Sequence, residues 1–217
     1  MTEYAATART TLNRKPERGS HDKAAAHAIL DAGVLCHIGY VDDGQPKVLP
    51  TVFWRAGERV YWHGSRASRA LQAMAGAEVC FCVSHLDGLV LARSAFRHSA
   101  QYRSVIAFGV AQPVESEADK LRAAQTLIER LYPGRWTEIR PPSRAELAAV
   151  SVLSLELVEV SAKVREGPPI DADADLGLAV WAGVAPLSLA PGAGLRPGTP
   201  VPDYLAPWSA ARSAAGR

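Results

Sequence analysis

A disulfide framework, a membrane-crossing run and a dominant charge of one sign are all missing from this sequence. Cys36, Cys80 and Cys82 are its three cysteines in 217 residues. That is too few for a disulfide-dense secreted domain. The longest apolar run, VIAFGVA at 105–111, is far too short to span a bilayer. The opening stretch MTEYAATARTTLNRKPERGS has no apolar h-region, so it does not read as a secretory signal. The expectation is a soluble, cytoplasmic protein with reduced thiols and no membrane partner. Net charge is only +2, which gives no global reason to expect nucleic acid. Any anion must be held by a local basic cluster.

Several catalytic signatures are missing too. There is no G-x-G-x-x-G, no G-x-x-x-x-G-K-[ST] and no G-x-S-x-G. Cys80-x-Cys82-x-x-His85 does not have a usual zinc spacing, and no second ligand pair follows. No metal site is expected, and Cys80 and Cys82 read as small fillers of a half-buried face.

The rest of the composition is that of an ordinary globular chain, 48% hydrophobic and 21% charged. Residues 1–19 are polar and unpatterned and read as a flexible arm. SHDKAAAHAILDAG reads as a helix capped by Ser20 and stopped by Gly33. VLCHIGYV and PKVLPTVFWR read as strands joined at a DDG turn. Pro50 inside the second implies an edge, a bulge or a diverted backbone. ERVYWHGS is a third strand, followed by a helix over about 66–75. AEVCFCVSHL alternates, with Val79, Phe81 and Val83 on one face and Cys80, Cys82 and Ser84 on the other. LVLARSA and QYRSVIAFGVAQPV are further strands. SEADKLRAAQTLIERL has helical periodicity, with Ser116 and Asp119 placed as a capping box. Residues 143–150 form a short helix, and SVLSLELVEVSAKVRE reads as one last long strand. Pro, Gly and Ala dominate after residue 166, giving a tail over 167–217 that packs on the barrel or a dimer partner through Trp181 and Trp208. Strands outnumber helices and do not alternate with them. The expected fold is therefore mainly β, a small barrel of about six antiparallel strands with peripheral helices.

The stretch YWHGSRASRAL, residues 61–71, concentrates polar chemistry at a strand-to-helix junction. Gly64 permits close backbone approach, Ser65 and Ser68 carry hydroxyls, and Arg66 and Arg69 carry guanidinium forks. Two readings fit: a helix N-terminus that binds an anion, or a simple cap with solvated arginines. In HSAQYRSV, Tyr102 and Ser104 share one face and Gln101 and Arg103 the other, as a strand with one solvated face would show.

The ordered set VLPTVFW, VYWHGSRASRAL, VCFCVS, QYRSVIAFGVA, LYPGRW, SVLSLELVEVSAKVREGPP and VWAGVAPL resembles the pyridoxamine 5'-phosphate oxidase-like flavoproteins with the FMN-binding split-barrel fold. It is nearest to their nitroimidazole-resistance and flavin-nucleotide-binding branch. The resemblance covers about residues 20–187, with 20–166 as the FMN-binding domain. It implies a homodimer with two FMN sites at the interface. Ser65, Ser68 and Arg69 would hold the phosphate, with His63 and Gly64 beside the ribityl chain or ring. Pro50, Thr51 and Val52 would run along the isoalloxazine. Arg103 and Ser104 would close the site, with Lys163 near it.

Two departures narrow what the resemblance implies. Ala70 stands where the namesake oxidases follow Ser-Arg with lysine, and their arginine- and histidine-bearing C-terminal segment is missing. Pyridoxamine phosphate oxidation is therefore not expected. His63 matches a histidine that looks functional in the nitroimidazole-resistance branch and is the candidate catalytic residue; its plainer role is a bond to cofactor or backbone. The functional expectation is an FMN-dependent oxidoreductase acting on a small planar substrate. The alternative is a non-catalytic flavin or haem carrier or sensor, with His63 on haem iron. A deazaflavin would call for a larger basic trough than this chain displays.

Overall fold

The computed structural model describes residues 2–189. The chain beyond them, including Trp208 and the rest of the expected tail, lies outside the description. Fourteen elements position the site. In chain order they are β1 (Gly19–Ser20), α1 (Lys23–Ala32), β2 (Leu35–Asp42), β3 (Gln45–Ala56), β4 (Arg59–Ser65), α2 (Arg69–Met74) and β5 (Glu78–Leu91). There follow β6 (Ser99–Val110), β7 (Gln112–Pro113), α3 (Glu117–Leu131), α4 (Arg144–Ala149), β8 (Val150–Glu156), β9 (Glu159–Arg165) and β10 (Gly183–Pro186).

The strands form one curled antiparallel sheet in the order β1-β9-β6-β5-β2-β3-β4-β8-β7, with β10 paired to β5. This is a split β-barrel, with ten strands among the described residues rather than about six. Three of the added strands, β1, β7 and β10, have only two to four residues and carry no readable period. The expected long strand over 151–166 is two strands. It breaks at Leu157–Val158, where Leu157 N–H donates to the Glu58 carbonyl at 2.8 Å. β8 then pairs with β4, and β9 with β6, four sheet positions away. Alternation continues through that corner, so period alone conceals it. Conversely, the two strands read at 77–86 and 89–95 are one strand, β5, with a bulge between Leu86 and Gly88.

β3 explains the split. Its residues 45–52 pair with β2, and Phe53–Ala56 pair with β4. Pro50 falls in the part with β2 on one side only, where a missing N–H costs no second ladder. The change of partner also buries both faces of β3 at once. Phe53 enters the barrel core with Trp62, Phe81, Ile38 and Leu30. Trp54 packs outward with Ala123 of α3 and Val152 of β8. Along β4, Val60 and Trp62 point inward and Tyr61 and His63 outward, as the two-residue period requires.

The helices follow their caps. The Asp22 side chain, not Ser20, accepts from Ala25 N–H at 2.7 Å and starts α1, while Ser20 accepts from Asp22 N–H. Ala26, Ile29 and Leu30 of α1 close one end of the barrel. Ser116 caps α3, and Ser143 with Glu146 forms a complete capping box on α4. The N-terminal stretch, expected as an arm, lies against the barrel. Tyr4 is 5% exposed, and its hydroxyl meets His27 Nε2 at 2.8 Å. Arg9 bonds Glu78 and Glu159, anchoring the stretch to β5 and β9. No helix among the described residues is long and apolar enough to cross a membrane.

Candidate functional site

The expected site residues fall into two groups. Pro50, Thr51 and Val52 of β3, His63, Gly64 and Ser65 of β4, and Ser68 and Arg69 at the start of α2 lie on neighbouring elements. Arg103 and Ser104 of β6 and Lys163 of β9 form the other group, separated from β3 in the sheet by β2 and β5. Ser104 and Lys163 are directly opposed, and Ser104 Oγ reaches the Lys163 carbonyl at 3.4 Å. Arg103 belongs to the opposite face of β6. Its Nε and one terminal nitrogen engage Asp87 at 2.9 and 2.8 Å. That fork holds the guanidinium pKa above its usual range. The pair lines a cleft of about 710 Å³ at the barrel mouth with Gln101, Glu166 and Leu189. The chain by itself therefore does not bring Arg103 to the turn after β4.

At that turn the two serines act as local caps. Ser65 Oγ accepts from Ala67 N–H at 3.2 Å, and Ser68 Oγ accepts from Leu71 N–H at 3.5 Å. Gly64 admits α2 closely, because a Cβ there would meet the Leu71 methyls at 3.3 Å. The two arginines diverge. Arg69 Nε lies 2.9 Å from Asp42 of the β2–β3 hairpin, with its side chain still largely exposed. Arg66 lines a cavity of about 420 Å³ between α2, β8 and the start of α3, with Gln72, Lys120 and Ser151. Its guanidinium makes no ion pair or hydrogen bond among the described residues.

His63 occupies a different environment from the turn it precedes. Its imidazole enters a small cavity of about 180 Å³ beneath α3 and α4, lined by Trp54, Leu127, Ile128, Leu147 and Val152. His63 Nδ1 and Trp54 Nε1 are both buried there with no hydrogen-bond partner. Burial lowers the His63 pKa, so the ring is neutral near pH 7. Lys120 and Val152 line both this cavity and the Arg66 cavity, so the two adjoin. Lys120 Nζ donates to the carbonyls of Leu147 and Val150 at 3.3 and 2.9 Å, at the edge the two cavities share.

Reading the sequence alone missed Trp54, Lys120 and the α3–α4 cover as site components. Trp54 resembled one more strand aromatic, and no local signal ties residue 120 to residue 63. It also missed Arg165, which is 7% exposed, stands beside Tyr102 in the sheet and leaves Nη1 unpartnered.

Comparison with known proteins fits this architecture. Residues 22–164 match the model of the pyridoxamine 5'-phosphate oxidase family. The chain belongs to this family. No curated protein matches the sequence significantly. Among solved structures, the flavocytochrome Anf3 from Azotobacter vinelandii is 40% identical, with a TM-score of 0.84, over 94% of this chain and 97% of that one. The FAD and haem binding protein from Mycobacterium smegmatis is 36% identical, with a TM-score of 0.83, over 88% and 97%. A putative 5-nitroimidazole antibiotic resistance protein from Bacteroides thetaiotaomicron shares the fold at 21% identity and a TM-score of 0.54, over 67% and 86%. The first two matches span most of both chains; one is a flavocytochrome and the other is an FAD and haem binding protein.

Proposed function

We propose that this family member is a flavin- and haem-binding oxidoreductase, in which His63 would be the residue that holds the haem. The observation that carries this is the neutral imidazole of His63, whose buried nitrogen has no partner inside a cavity lined mainly by apolar side chains. Haem iron binds neutral imidazole, and apolar walls tune its potential. The other described histidines fit less well. His21, His27 and His98 are hydrogen-bonded to Thr10, Tyr4 and Ser94, His85 bonds the Ile29 carbonyl, and His37 is exposed. The two neighbours above 35% identity support the same pairing of cofactors.

A flavin nucleotide suits the outward face of β3 and the turn after β4. Pro50 and Val52 offer an exposed apolar surface, and Ser68 and Arg69 stand at the phosphate end. Closing the site takes a second copy, whose Ser104 and Lys163 would face the first copy's turn, with Arg165 nearby. The outward, exposed Leu35, Val48 and Val52 suit such a homodimer. FMN is the form the turn requires at minimum, and FAD adds the adenosine arm. Bound flavin supplies hydride and electron transfer, and haem supplies one-electron chemistry. The chain's own residues would orient both groups and leave room for a small planar substrate. Cytoplasmic location belongs to this reading and suits the three unpaired cysteines.

The visible spectrum of the purified protein tests the proposal. It should show flavin absorption and a Soret band, and NADH or NADPH added anaerobically should bleach the flavin. Mass analysis of acid-released flavin tells FMN from FAD. A colourless protein that takes up neither flavin nor haemin overturns the reading.

A further inference from the structure

Arg66 and Lys120 are two cations on one wall of the same space. We infer that they form a carboxylate clamp for the propionates of haem, so that the ligand seated against His63 is a dianionic porphyrin. This rests on the haem reading of the His63 cavity.

The argument starts from size. The His63 cavity, about 180 Å³, holds a single ring, since a cavity of ~150 Å³ takes up benzene. Cofactor pockets usually begin at roughly 300 Å³. The adjoining cavity, about 420 Å³, provides the missing room, and the two meet at Lys120 and Val152.

The chemistry of the two spaces is complementary. The His63 side is apolar, apart from the orphaned nitrogens of His63 and Trp54 and the Glu146 carboxylate. Glu146 is already satisfied by Arg140 and by Ser143 N–H, at 2.7 and 2.7 Å. The Arg66 side is mixed, with Leu71, Val114 and Leu153 beside the polar groups, and it carries a guanidinium without a partner among the described residues. Lys120 uses two of its three donors on carbonyls and keeps the third. Ser151 and Gln72 add neutral polar groups, and Glu115 is the one acid on that wall. A porphyrin is apolar over most of its disc and bears two carboxylates on one edge. This wall has the same division, apolar around the histidine and cationic at one edge.

The division also separates the two anion sites. Arg69 is turned to Asp42 on the β2–β3 side, so it remains available to a flavin phosphate while Arg66 faces the other flank.

The test is spectroscopic titration of haem-free protein with haemin and with haemin dimethyl ester, in which the carboxylates are capped. Arg66→Gln should weaken haemin about tenfold, the size of one charge-assisted bond, and Arg66→Gln with Lys120→Gln more than that. The ester should bind wild type and variants alike. Arg66→Lys should recover part of the loss, and melting curves of the haem-free variants check folding. Equal binding of haemin and its ester by wild type overturns the clamp, as does an Arg66→Gln protein with wild-type haemin affinity. Retention of the Soret band by His63→Ala instead overturns the haem reading of the cavity on which the clamp rests.

Discussion

The rings of Trp54 and His63 lie 5.9 Å apart, centroid to centroid, and each presents a buried nitrogen with no hydrogen-bond partner to the same cavity. Folding tolerates one such group at a cost of roughly 1–3 kcal/mol. Two such nitrogens facing one space are the pair on which the proposed haem site rests.

His63→Phe should therefore stabilise the cofactor-free protein while abolishing the Soret band. Phenylalanine keeps the ring volume and removes the orphan, so a gain of about 1 kcal/mol is expected in urea denaturation. The sign of the acid response follows from the lowered pKa. The folded state binds fewer protons than the unfolded chain, so His63 costs stability as pH falls below the ordinary 6.5. His27, also lowered chiefly by burial, acts in the same direction. The loss of melting temperature between neutral and mildly acid pH should shrink in His63→Phe. An unchanged slope would assign the acid response to His27 and to the carboxylates held below their usual range, such as Glu58 and Glu159.

Arg103 is expected to matter for stability rather than for holding flavin phosphate within its own protomer. Its fork to Asp87 is mostly shielded, with side-chain exposures of 14% and 32%. Asp87→Ala leaves the guanidinium unpaired at the barrel mouth and should cost about 2 kcal/mol in denaturant unfolding. Flavin affinity measured by fluorescence quenching should change little in the folded variant. A selective loss of flavin with unchanged stability would place Arg103 at the cofactor.

Tyr4 pins the N-terminal stretch to the barrel. Tyr4→Phe removes the bonds to His27 and Glu58 and should cost about 1 kcal/mol. Tyr4→Ala also removes the buried ring and should cost about 3 kcal/mol or more. Limited proteolysis should then cut within residues 2–18 in the alanine variant first.

Val48 tests the proposed homodimer. It stands 65% exposed on the open part of β3, across from Gly39 of β2. Val48→Asp should leave the monomer fold intact by circular dichroism, because the side chain points outward. It should shift sedimentation to the monomer and reduce flavin retention with it. A variant that stays dimeric and flavin-loaded would move the interface to another face.

The outline of the protein was readable from local signals. Alternation marked Val79, Phe81 and Val83 as inward, and period-3.6 spacing marked α3, because each pattern depends on near neighbours along the chain. Corners defeated the same method at Leu157–Val158 and at the β5 bulge, where strands turn or slip without losing their period.

By itself the sequence determined a mainly β barrel with peripheral helices and a serine- and arginine-bearing turn, through its periods and turn residues, and its resemblance to the flavoprotein family implied the split form of that barrel. Only the tertiary structure decided how those side chains are used. It drew His63 and Trp54 together under α3, sent Arg66 and Arg69 to different flanks of one turn, and gave Arg103 to Asp87. Those outcomes depend on which strands become neighbours, and strand order is a long-range property that no local window contains.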